Sequence, residues 1–157
     1  MIVAFFIYAL TIAKDAGQAA PAPQQVALRS ADDRADVAEM LRAINAARAE
    51  RGLRPLALDD RLCGIAESHA RDMALRRYFA HTSPEGVSVF DRMKDAQYRF
   101  NYAGENLALD RNADAAEDAL WNSADHRSNI LEPHYAHVGI AAVPSDEGEI
   151  FVQDFSD

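Results

Sequence analysis

Gly104-Glu105-Asn106-Leu107-Ala108 and Trp121-Asn122-Ser123-Ala124-Asp125-His126-Arg127-Ser128-Asn129-Ile130-Leu131 bound the stretch whose reading decides the fold. Tyr102 to Ala108 has the character of a strand. Asn112 then caps a helix from Ala113 to about Ser123, with Ala116, Ala119 and Leu120 as its packing face. Upstream, His81-Thr82-Ser83-Pro84-Glu85-Gly86 has turn chemistry. Two histidines and a carboxylate therefore flank turns and helix ends, where side chains converge. A His/Glu/His cluster of this kind binds a metal, handles protons or holds a fold together.

Outward from this stretch the chain is helical on one side and stranded on the other. Val37, Met40, Leu41 and Ile44 recur at three- and four-residue steps, predicting a helix from Asp32 to Arg51 that stops at Gly52. Leu53-Arg54-Pro55-Leu56 is a short connection. Asp59 is the expected N-cap of a second helix, reaching about Arg77, with Leu62, Ile65, Ala66, His69 and Met73 along one face. His69 shares that apolar stripe and reads as a packed, hydrogen-bonded histidine rather than a ligand. A short third helix turns Phe90 and Met93 inward. Two strands, Val138 to Val143 and Glu149 to Phe155, close the chain around a Pro144–Gly148 loop. Helices first and strands later, without βαβ alternation, predict an α+β fold with a mostly antiparallel sheet.

The chain has 157 residues, of which 49% are hydrophobic, enough for one domain with a sizeable core. Its net charge of -9 argues against nucleic acid or an anionic membrane surface as the main partner. Ile2 to Ala13 is an apolar run of about a dozen residues, short of the ~20 needed to span a bilayer. Small residues follow it, so residues 1–20 read as a secretory signal peptide, although Lys14 lies after the run rather than before it. Residues 21–31, rich in Pro, Ala and Gln, read as a flexible lead-in, and residues 32–157 as the domain. The expectation is a secreted or periplasmic protein with no integral membrane domain after cleavage. Cys63 is the single cysteine, so no intramolecular disulfide forms; it falls in a helical apolar pattern and reads as a small buried hydrophobe.

His81, Glu105 and His126 are the candidates for chemistry. Imidazole and carboxylate are donors that Zn2+ favours, and a catalytic zinc uses three protein ligands plus water. The spacing contains no local motif such as H-E-x-x-H to link them. Glu105 alternatively orients a histidine or bonds backbone amides. His126 is expected just after a helix end, where the helix C-terminus favours imidazolium, and Asp125 beside it raises its pKa further. By pattern alone His134 and His137 are surface residues and Trp121 is a core anchor. Arg127 and Asn129 are expected to bond carbonyls in the following loop. No G-x-S-x-G elbow or phosphate-binding glycine loop is present.

Five segments in order resemble a bacterial member of the CAP superfamily (SCP-like domains), which includes cysteine-rich secretory proteins, insect venom allergens and plant pathogenesis-related class 1 proteins. They are His81–Gly86, Tyr102–Ala108, Trp121–Ser123, His126–Leu131 and Val138-Gly139-Ile140. His69–Ala74 and Val152-Gln153-Asp154-Phe155 also fit, so the resemblance covers about Ala38 to Phe155. It implies an α-β-α sandwich, with a central antiparallel sheet between helical layers, and secretion. It also implies a cleft of two histidines and two acids. His81 and Glu105 match the first of each. The second acid falls at Ser123 or Ala124, neither acidic. The second histidine is His126 by the bacterial pattern, with His134 as rival. The family lacks a general enzymatic activity. The resemblance therefore implies a non-catalytic binding module for a lipid, a cell-envelope component or a protein. The alternatives are a zinc-dependent hydrolase using His81, Glu105 and His126, with His81 and His126 as candidate metal ligands, and a structural envelope protein.

Overall fold

The computed structural model describes residues 31–157, so the expected signal peptide and nearly all of the lead-in lie outside the described residues. The described chain runs α1 (Ala31–Ala49), β1 (Ala57–Leu58), α2 (Asp60–Arg76), α3 (Val89–Asp95), β2 (Ala103–Asp110), α4 (Ala113–Asn122), α5 (Ala124–Ile130), β3 (His137–Ser145) and β4 (Gly148–Ser156). The strands form one sheet in the order β1-β3-β4-β2. β2, β3 and β4 pair antiparallel, while the two-residue β1 joins β3 in parallel, so the sheet is mixed rather than purely antiparallel.

Sheet alternation sends neighbouring residues to opposite helical layers. Val138, Ile140 and Ala142 of β3 and Phe151 and Phe155 of β4 meet Met40 and Ile44 of α1 and Ala116 and Leu120 of α4. Ala141, Val143, Ile150 and Val152 face the other way, onto Ala66, Ala70 and Met73 of α2. Both faces are covered, which is why β3 and β4 read as nearly continuous apolar runs. The approach of α2 is close enough to require Gly139: a Cβ there would lie 2.2 Å from the Leu62 carbonyl carbon and 2.4 Å from the Cys63 nitrogen.

The expected caps are in place. Asp59 accepts from the amides of Arg61 and Leu62, and Asn112 accepts from that of Ala115. Ser88 and Asp91 form a reciprocal capping box on α3. Three local readings are corrected. Phe90 is 44% exposed, because the inward face of α3 is Val89 and Met93, one turn apart. Ala119 is exposed, and the buried face of α4 includes Glu117 instead. Residues after Ser123 form the separate helix α5, with Ser123 as the junction, so His126 lies in the first turn of a helix rather than after the end of one.

Candidate functional site

β2 is an edge strand, and the candidate cleft lies along it. One helical layer supplies His69 from α2, His81 from the following turn and Arg92 from α3. The other layer supplies His126 and Asn129 from α5. An edge strand has no sheet neighbour on one side, so side chains from both layers can meet there. Asn129 covers part of that edge by donating to the Glu105 carbonyl oxygen at 3.2 Å.

Glu105 is the buried centre. Its carboxylate oxygens are divided: Oε1 lies 2.8 Å from Nδ1 of His81, and Oε2 accepts from Nη2 of Arg92. The side chain of His81 is 56% exposed, against 2% for Glu105. This hydrogen bond and the Glu105 charge raise the pKa of His81, against its own partial burial and the nearby Arg92. With Nδ1 held by Glu105, Nε2 is the free ring nitrogen. Arg92 also donates from Nη1 to the carbonyls of His81 and Val87, both at 3.2 Å, fixing the turn that carries His81.

Two further groups form the floor. His69 is buried as expected, with Nε2 at 3.0 Å from the Ala80 carbonyl oxygen. It also lies 3.9 Å from Glu105 Oε2, so the packed histidine is part of the polar centre. Burial, then the charge of Arg92, lowers its pKa and keeps it neutral. Asp154 is the cross-strand partner of Glu105 and has no exposed surface. No donor reaches either of its oxygens. Burial first and the Glu105 charge next push its carboxyl well above the usual range, which favours its protonated form.

His126 is half-buried and near enough to His81 for their charges to oppose one another. Its pKa is lowered, by burial first and His81 next, with Asp125 opposing more weakly. The expected helix C-terminus is not there to raise it. His134 is exposed; its Nδ1 lies 2.6 Å from Glu132, and its ring stacks on Tyr102 at 4.1 Å between centroids. Arg127 bonds a carbonyl, but that of Trp121 in the preceding helix, at 2.7 Å. Trp121 is half-buried, with the Arg51 guanidinium 4.7 Å from its ring centre.

Beneath α5 the other face of β2 carries a buried polar chain. Asn106 Nδ2 donates to the His126 carbonyl oxygen and to Gln153 Oε1, both at 3.1 Å. Asn129 donates to Asn106 Oδ1 at 2.9 Å, and Gln153 donates to Glu117. Burial pushes the Glu117 carboxyl up to about 8, so it is neutral at neutral pH. This chain fixes α5, and with it His126, against the sheet.

Sequence reasoning missed Arg92, Asp154 and Glu117. Asp154 left a signal, an acid inside the otherwise uncharged buried run of β4, residues 150–155. Arg92 left none, because arginine on a short surface helix is ordinary.

The donor set is only partly suited to a metal. Among the described residues no group of three or more His, Cys, Asp or Glu is placed to hold one. Glu105 already serves His81 and Arg92, so the three-ligand arrangement of a catalytic zinc does not fit. His81 Nε2 and His126 remain as two imidazoles, the first oriented by a carboxylate as metal-bound histidines commonly are.

The layered α-β-α fold and the His/Glu cluster on its edge strand define a class of domain, and comparison with known proteins identifies it. Residues 41–155 match CAP, the Cysteine-rich secretory protein family, and the chain belongs to that family. The uncharacterised protein YkwD of Bacillus subtilis is 39% identical over 112 residues, 71% of this chain and 43% of its own. The chain spans less than half the length of the curated relatives it matches. An extracellular SCP-domain protein from Bacillus anthracis is 28% identical, with a TM-score of 0.72 over 79% of this chain and 41% of its own. An outer surface protein of Borrelia burgdorferi has a TM-score of 0.74 at 24% identity, covering 79% of this chain and 93% of its own. Among the described residues no helix is long and apolar enough to cross a membrane.

Proposed function

We propose that the chain is an exported, non-catalytic binding module whose cleft takes a polar component of the cell envelope through His81, Glu105 and His126. The supporting observation is how Glu105 is occupied. A general base or metal ligand needs a free carboxylate oxygen, whereas here one oxygen holds His81 and the other holds Arg92. The arrangement aims one exposed imidazole outward from a fixed floor, which suits recognition more than turnover. The extracellular and surface-located relatives favour export, in keeping with the apolar leader. A second reading rests on the free Nε2 of His81 beside His126: a Zn2+ held by two imidazoles and completed by ligand or water.

One experiment tests both. Native mass spectrometry is run on the full chain purified from its own host, with and without added zinc. The binding reading expects co-purifying envelope material that is lost in His81→Ala while the fold is kept. An empty protein that also ignores lipid and glycan panels overturns it. The zinc reading expects stoichiometric metal that the His81→Ala/His126→Ala double variant loses; equal uptake by both proteins removes it.

A further inference from the structure

A second recess lies about four residues further along β2 from Glu105, roughly 13 Å away at the usual rise of a strand. It lies between the C-terminal turn of α2 and the β3–β4 hairpin. Its walls include Met73, Ala74, Tyr78, Phe79, Leu109 and Ile150, and its volume is about 270 Å³. That exceeds the ~150 Å³ of a benzene-holding cavity but falls below the ~300 Å³ at which small-molecule pockets begin. It is the size for one large side chain. Phe79 is 46% exposed and carries the apolar surface of the recess out to its rim.

The rim carries charge. Arg77 bridges to Asp146 of the hairpin at 2.7 Å, but both side chains are largely exposed, at 80% and 76%. An exposed pair of this kind is weak because solvent screens it, so it can open for an incoming group. Arg77 is also held in the left-handed region, at φ 56°, where glycine is the relaxed residue. Glu147 lies beside Asp146 and has no cation partner among the described residues. The rim therefore sets one cation against two carboxylates, on a chain of net charge -9. A carboxylate-headed amphiphile would be repelled there, and a basic group attracted.

We propose that this recess docks a partner protein through a segment presenting one large apolar side chain next to a basic residue. The apolar side chain fills the recess against Met73 and Ile150, and the basic residue meets Glu147 and Asp146. The site is independent of the cleft reading.

The test titrates the full chain with three synthetic pentapeptides, Phe flanked by Lys, Phe flanked by Glu and Ser flanked by Lys, and with decanoate. Methyl NMR signals of Met73, Ala74 and Ile150 provide the readout. The Lys-flanked Phe peptide is expected to shift them with at least about tenfold higher affinity than the other peptides, weakening as salt rises. Ala74→Trp, which fills the recess, is expected to abolish the shifts. Glu147→Lys, on the exposed hairpin turn, is expected to weaken the Lys-flanked Phe peptide and favour the Glu-flanked one, and it tests the idea even if Ala74→Trp fails to fold. Equal response to all peptides, a stronger response to decanoate, no response at all, or an unchanged preference in Glu147→Lys would overturn the proposal.

Discussion

Glu105, whose side chain is only 2% exposed, holds His81 on one carboxylate oxygen and Arg92 on the other, while burial first and the Glu105 charge next push the Asp154 carboxyl well above its usual range. Burying an acid and facing it with a like charge both disfavour its ionised form, which is the cause of the shift at Asp154. The pH consequence is set by His81. Its folded pKa is raised, so its contribution to stability is fully present below the unfolded value of ~6.5 and is lost as pH rises through the folded pKa. His126 has the opposite sign: its folded pKa is lowered, so stability present above ~6.5 is lost as pH falls through the folded value. In Glu105→Gln, imidazole NMR should show His81 titrating at lower pH than in the parent, since the raising partner is gone and Arg92 remains. An unshifted His81 titration would show that the ring does not depend on Glu105.

At the scale of elements, the contact between α2 and β3 depends on a missing side chain. At Gly139 the obstacle to a Cβ is the backbone of Leu62 and Cys63, which has no rotamer to move. Gly139→Ala should destabilise by at least ~3 kcal/mol, the upper range for overpacking, measured by urea unfolding. At Gly104 the obstacles to a Cβ are side-chain atoms rather than backbone, the Tyr135 hydroxyl at 2.4 Å and Asn129 Oδ1 at 3.0 Å. A loss at Gly139 no larger than that of Gly104→Ala would contradict this account. The same scale explains which elements were legible. The periodic apolar faces of α1 and α2 and the caps at Asp59 and Asn112 are local signals, and they were readable. α5 was not: seven residues with Ser, Asp and Asn among them give neither a clear period nor a helix-favouring composition. β1 is two residues long and exists only because β3 lies beside it.

At the scale of the whole molecule, Arg48 joins parts of the chain that local pattern cannot connect. It has no exposed surface, and its guanidinium donates to the carbonyls of Arg54, Ile130, Glu132 and Tyr135. It thereby ties α1 to the end of α5 and to the loop that leads into β3. Arg48→Met keeps the length but leaves these acceptors unmet. It should destabilise by at least ~3 kcal/mol, with a fall in melting temperature of roughly 10 °C. A near-neutral result would mean that water replaces the guanidinium without loss. By itself the sequence determined the apolar faces of α1 and α2, the caps at Asp59 and Asn112 and the α+β class, because these are encoded within a few residues. Tertiary structure alone decided that β2 is the edge strand, that Arg92 and Asp154 flank Glu105, and that His126 enters from a helix start. Those depend on pairings such as His81 with Glu105, 24 residues apart, and Arg48 with Ile130, 82 apart. Such pairings form only when burial of both sheet faces brings distant segments together.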